Sequence, residues 1–187
     1  MKNRMIPVGY MAKTILNRPE GFGTTDIIDI YSVSSCMSKN FSDYIEFWRH
    51  NGYWFFDSPR IIQEISKEYS VNLTGTKIFY YEVYDLEFHE NDEWKSFEPE
   101  ASFPTNIEVP DSKNLEGYDV VTFSTGNSAE CSPLSCNSLA NTIPVNRHCL
   151  LPDFDTAYQL LINGQFQNAE PGPYRIFAVY SVPGLNN

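Results

Sequence analysis

Hydrophobic positions along the chain follow two rhythms. A period of two, or an unbroken apolar run, marks residues 5–15, 27–33 (IIDIYSV), 118–124 (YDVVTFS) and 174–182 (YRIFAVYSV) as strands rich in β-branched and aromatic residues. The stretch TKIFYYEVYDLEFHENDEWKSF predicts a long strand, a turn near Asn91–Asp92 and a shorter return strand. Both faces of that long strand carry apolar bulk, Phe79, Tyr81 and Val83 on one and Ile78, Tyr80, Tyr84 and Leu86 on the other, which predicts cover on both sides.

A period near 3.6 marks the helices. FSDYIEFWRHNG sets Phe41, Tyr44, Ile45 and Trp48 on one face and ends before Gly52. DSPRIIQEISKEYS offers Ser58 as N-cap, Pro59 at the first helical position, and a stripe of Ile61, Ile62, Ile65 and Tyr69. DFDTAYQLLINGQF offers Asp153 as cap, Phe154, Ala157, Tyr158 and Leu161 facing inward, and Gly164 as the stop. A short helix starts at Ser132, and a further strand is expected over 147–151. Residues 98–117, with three prolines and little periodicity, read as a long surface loop. The helices and strands mingle without βαβ alternation. The expected fold is therefore α+β, one globular domain over 1–187 with a mixed or mainly antiparallel sheet and about four helices.

Composition narrows the class. The chain has 187 residues, 42% of them hydrophobic and 15% aromatic, which is enough for one well-filled core. No apolar run reaches the length of a membrane helix, and the N-terminal basic residues Lys2 and Arg4 lead into a stretch broken by Pro7, Gly9 and Lys13. Four cysteines without a leader pattern point to reduced thiols and a cytoplasmic setting.

Charge changes the picture further. The net charge is −11, and residues 82–116 hold eleven carboxylates against Lys95 and Lys113, a local balance of −9. Such a balance speaks against nucleic acid and an anionic membrane surface as ligands. Aromatic residues Tyr84, Phe88, Trp94, Phe97 and Phe103 are threaded through the segment. One reading is a solvated edge whose charge discourages pairing with another chain. The other is a recognition face for a basic protein, in which Glu90, Asp92, Glu93, Glu98 and Glu100 steer the encounter and Trp94 anchors it. That second reading makes the protein an inhibitor or immunity-type binder that occludes a basic partner through residues 82–117.

Candidate chemistry is concentrated in NSAECSPLSCNSLANTIPVNRHCLL, residues 127–151, which carries Cys131, Cys136, His148 and Cys149. With Ser132 as N-cap and Pro133 opening the helix, Cys131 and Cys136 occupy the two positions that touch in a hydrophobic staple, so packing accounts for their spacing. The alternative is a cysteine-dependent enzyme with Cys131 or Cys136 as nucleophile and His148 as base. A zinc site is disfavoured, because no second Cys-x-x-Cys is present and adjacent His148 and Cys149 point apart on a strand. The glycines of EGFGTTD lack the lysine of a phosphate-binding loop, so neither a metal nor a cofactor is expected.

Overall fold

The computed structural model describes residues 4–17, 26–38, 41, 50–98, 105–124 and 129–186. Its centre is an antiparallel sheet of β1 (Met5–Thr14), β4 (Thr76–Tyr84), β5 (Leu86–Phe88), β6 (Trp94–Ser96), β7 (Asn114–Thr122) and β8 (Tyr174–Ser181). A separate two-stranded ladder joins β2 (Leu16–Asn17) to β3 (Asp29–Ile30). The central strand is the last in sequence, β8. One of its edges pairs with β4 along Phe177–Ser181 and then meets β5 at Tyr174, while its other edge pairs with β7 from Tyr174 to Ser181. Strands β4 and β5 are thus one strand bent at Asp85, with β1 beside the first half and β6 beside the second.

Both faces of the sheet are covered, as the bulk on the long strand predicts. Ile78, Phe79, Tyr80, Tyr81 and Val83 of β4 are all buried. On one face Val8, Tyr10, Phe79, Tyr81, Phe177 and Val179 pack with Phe55, Phe56 and the helix α1 (Pro59–Tyr69) through Ile62 and Ile65. On the other, Val120, Ile176, Tyr174 and Phe88 pack with Leu134 of α2 (Pro133–Cys136) and with Phe154, Ala157 and Leu161 of α3 (Phe154–Ile162). Asp153 caps α3, its Oδ1 accepting from the Thr156 amide at 2.7 Å, and Gly164 takes the positive φ of 70° that follows the helix. Ser58 occupies the N-cap position of α1 and Pro59 opens the helix, but Ser58 makes no side-chain cap bond.

Several expectations are corrected. Among the described residues there are three α-helices, not about four, because the helix expected over FSDYIEFWRHNG falls almost wholly outside them. Tyr69 is at the surface, so the buried stripe of α1 is Ile62 and Ile65. The strand expected over 27–33 contracts to Asp29–Ile30, because its amides bond to a loop instead: Ile28 N to Arg147 O at 2.8 Å and Tyr31 N to His148 O at 3.0 Å. The strand expected over 147–151 is a single bridge, Leu151 to Tyr118. The loop expected over 98–117 is shorter, since Asn114–Gly117 already belongs to β7. Part of that loop is pinned to the start of α1, where Asp57 accepts from Asn106 N at 2.6 Å and Glu108 N at 2.9 Å. Among the described residues no helix is long and apolar enough to cross a membrane.

Candidate functional site

The acidic hairpin is built from a tight turn between β5 and β6. The His89 amide bonds to Glu93 O at 2.9 Å and the Asp92 amide to His89 O at 3.0 Å. Asp92 takes a left-handed φ of 61°, a conformation that Asp tolerates better than branched residues do. This geometry leaves Glu90, Asp92 and Glu93 exposed around one turn, with Glu98 exposed just after β6. The turn is tied to the chain before β8. Glu90 Oε1 accepts from Gly172 N at 3.2 Å, and Asp92 Oδ1 from Gln167 Nε2 at 3.4 Å. Between them lies a shallow open recess lined by His89, Glu90, Asn91, Lys95, Gly172 and Pro173. Glu93 bonds to Lys95 Nζ at 3.2 Å and Asn91 Nδ2 at 2.9 Å, and these contacts, Lys95 first, hold its carboxyl below the ordinary range.

Trp94 is placed differently from an exposed anchor. Its ring stacks on Tyr158 of α3 at 4.8 Å, meets Tyr84 edge-on at 5.4 Å and lies 5.0 Å from Phe88. It fixes the hairpin onto the core, and its buried indole Nε1 has no hydrogen-bond partner among the described residues. Glu100 lies outside the described residues.

Three other carboxylates of the segment are engaged inside the fold. Glu82 bonds to Lys113 Nζ and, at 2.9 Å, to Tyr180 Oη. Glu116 accepts from Ser181 Oγ at 2.5 Å. Glu87 Oε2 takes both Nε and NH2 of Arg175, at 3.0 and 2.9 Å. The Arg175 guanidinium lies 3.8 Å from the Phe97 ring and 4.0 Å from that of Phe123, an arrangement that a planar cation fills well. The free charge is therefore concentrated at the hairpin tip, in Glu98 and in the exposed Glu108 and Asp111.

The thiols form a second constellation. Pro133 opens α2, and the Cys136 amide bonds to Ser132 O at 2.8 Å, which sets Cys131 just before the turn and Cys136 at its end. Unlike a staple in a core, this pair is open: Cys131 is half-buried and Cys136 exposed. A third thiol joins them. Cys36, on the 3₁₀ turn Ser35–Ser38, places its Sγ 3.9 Å from that of Cys136, and Ser34 Oγ lies 3.0 Å from Cys36 Sγ. The hydrogen bond between Cys36 and Cys136 pushes the Cys36 thiol up and holds that of Cys136 below its ordinary value. Cys149 stands apart in the core, and burial pushes its thiol up to about 12.

Beneath the thiols runs a buried polar network that sequence reading missed. Asp119 of β7 is fully enclosed and accepts from Val33 N at 2.8 Å and from Ser132 Oγ at 2.5 Å. Ser132 thus spends its hydroxyl on Asp119 and makes no side-chain cap bond. Lys13 of β1 donates to Val33 O at 2.7 Å and Ser34 O at 3.0 Å.

His148 is not part of this group. Its Nδ1 bonds to the Asp29 carboxylate, its Nε2 lies 3.7 Å from Glu116 Oε2, and its ring stacks on Tyr31 at 4.1 Å. Both ring nitrogens face carboxylates, so the imidazole is held apart from the thiols. Among the described residues, no three His, Cys, Asp or Glu side chains are grouped to hold a metal ion. Comparisons with family models, curated proteins and solved structures found no match to this chain.

Proposed function

We propose that the protein is a non-enzymatic, inhibitor- or immunity-type binder that engages a basic protein partner through its acidic hairpin tip, in a cytoplasmic setting. The observation that carries this reading is the exposure of Glu90, Asp92 and Glu93 around one turn, on a hairpin fastened to the core by Trp94. A rigid mount matters because an interface that needs no ordering loses less conformational entropy on binding. Carboxylates at a protruding tip raise the rate of encounter with a cationic surface, and the −9 balance of residues 82–116 extends that field beyond the tip. Trp94 has the role of a buttress in this scheme, and the contacts to the partner come from the carboxylates and the recess beside them.

The test is charge reversal at Glu90, Asp92, Glu93 and Glu98 together, each to Lys, with a partner captured from the native host. Association should slow by about tenfold or more at low salt while dissociation changes less, and added salt should narrow the gap between parent and variant. A partner that binds parent and variant at the same rate at low salt overturns the reading. The second reading, a cysteine-dependent enzyme, is favoured by the exposure of Cys136 beside two further thiols. Its weakness is the base, because His148 is held between Asp29 and Glu116.

A further inference from the structure

We infer that Cys36 and Cys136 form a dithiol site that reacts with small disulfides and closes to an intramolecular bridge, with Cys136 as the attacking and Cys36 as the resolving sulfur. The site is assembled by the fold from positions 100 residues apart in sequence, and both side chains are exposed, so a small oxidant reaches them and neither is locked by packing. Their sulfurs are 3.9 Å apart, and a bond requires an approach of about 2 Å, within the reach of side-chain rotation at two surface positions.

The surroundings assign the roles. The contact with Cys36, in which either sulfur can donate, holds the Cys136 thiol below its ordinary value and so favours its thiolate, the species that attacks a disulfide. Cys36 feels the charge of Lys13, whose Nζ bonds to the carbonyl of Ser34, and lies 3.0 Å from Ser34 Oγ, which itself donates to Glu130 O at 2.6 Å. The lysine's positive charge, when present, supports a thiolate on Cys36 in the second step. Cys131 also lies near Cys136 but is held back. Its carbonyl accepts from Thr122 N at 2.9 Å, and its sulfur faces Asn137 Oδ1 at 3.8 Å.

With oxidised glutathione as the oxidant the reaction balances in two exchanges. The Cys136 thiolate attacks one glutathione sulfur, the glutathione disulfide bond breaks, and one glutathione thiolate leaves. Cys36 then loses its proton and attacks Cys136 Sγ, the mixed disulfide breaks, and the second glutathione leaves. Two protein thiols are oxidised by two electrons, one small disulfide is reduced to two thiols, and the two protons end on the leaving groups. Nothing in this chemistry draws on the acidic hairpin, so it stands or falls apart from the proposed function.

The experiment uses the full chain, reduced and then incubated with oxidised glutathione at neutral pH, quenched by alkylation and mapped as peptides without reduction. The expected end product is a Cys36–Cys136 crosslink with Cys149 alkylated only after unfolding. In Cys36→Ser, glutathione should persist on Cys136. The bridged form should melt several degrees higher than the same sample after dithiothreitol, because the bond closes a loop of about 100 residues in the unfolded chain. A lasting glutathione adduct on Cys136 in the parent, a Cys131–Cys136 bridge as the main product, or a bridged form that melts lower than the reduced one would each overturn the inference.

Discussion

Lys13 sits on β1 and is 2% exposed, and burial lowers its pKa to about 7, with Cys36 and then Asp119 pulling it back up. In the unfolded chain the same group titrates near its ordinary value of 10.5. Between these values the unfolded state binds more protons than the native one, so this residue makes the protein more stable as pH rises from about 7 towards 10.5. Lys13→Met should remove that component. Urea unfolding at pH 7 and pH 9 should show the parent gaining up to about 2 kcal/mol relative to the variant. A constant offset between them, from the bonds lost at Val33 and Ser34, is also expected, and a difference that stays flat across the two pH values would refute the assignment. Asp119 has the opposite sign. Burial raises its pKa from 3.8 to about 6, against the hydrogen bonds from Ser132, Val33 and Ser32, so its contribution declines as pH rises through that window. At Trp94, the buried and unpartnered Nε1 predicts that Trp94→Phe changes stability by less than about 1 kcal/mol, since lost volume is offset by relief of an unsatisfied donor. Trp94→Ala should cost about 3–5 kcal/mol by losing the stack on Tyr158, as read by denaturant titration. Residues of this kind were hard to read from sequence. Lys13 looked only like a break in an apolar stretch, and Cys36 lies far from the other thiols along the chain. Trp94 alternates with charged neighbours whether it faces inward or outward.

At the scale of elements, the two outer long strands of the sheet carry the same device. β1 has a register shift at Gly9 and β7 has one at Gly117, both with positive φ, 111° and 148°. At each bulge another segment closes on the strand: Phe56 pairs with Tyr10, and Leu151 pairs with Tyr118. The absent side chain makes the approach possible. A Cβ on Gly117 would lie 2.7 Å from Leu150 Cβ and 2.8 Å from Leu151 O, and one on Gly9 would lie 2.4 Å from Phe56 O. Bulges and covering segments also blunt edges that would otherwise pair with other chains. Gly117→Ala should therefore cost about 2–4 kcal/mol in urea unfolding, whereas Gly75→Ala should cost only about 1 kcal/mol. Gly75 shares a positive φ, 74°, but has nothing among the described residues within 4 Å of the added carbon. Equal losses at the two positions would show that backbone conformation alone, and not the closing segment, sets the cost. Elements whose signal is local were legible: the caps of α3, the proline start of α1, the hairpin turn, and the β1 and β8 runs all stand where their patterns place them. Elements defined by a distant partner were not. The 27–33 segment is apolar enough for a strand, yet most of it is held by single bonds to Arg147 and His148, which no periodicity encodes.

For the whole molecule, the question is how a chain of net charge −11 tolerates a −9 segment folded against its own sheet. Part of the answer is local pairing: Glu87 with Arg175, Glu82 with Lys113, and the hydrogen bonds of Glu116 take three carboxylates out of the free charge. Those partners lie within the fold and are screened little by salt, because mobile ions do not reach them easily. Among the described residues the exposed tip carboxylates have only Lys95 as a cationic contact, at Glu93, and their mutual repulsion acts through water, where salt screens it. Raising sodium chloride from about 0.02 M to about 0.5 M shortens the screening length from about 20 Å to about 4 Å and should raise the melting temperature of the parent by a few degrees. Glu90→Lys, Asp92→Lys and Glu93→Lys together add two positive units each and take the net charge from −11 to −5. That variant should melt at least as high as the parent at low salt and respond to salt more weakly, because the repulsion has already been removed at its densest point. The two melting curves should converge at high salt. A parent that melts lower as salt rises would mean that attractive pairs, not like-charge repulsion, dominate the surface, and the tip would then be a locally satisfied edge with little field to offer a partner.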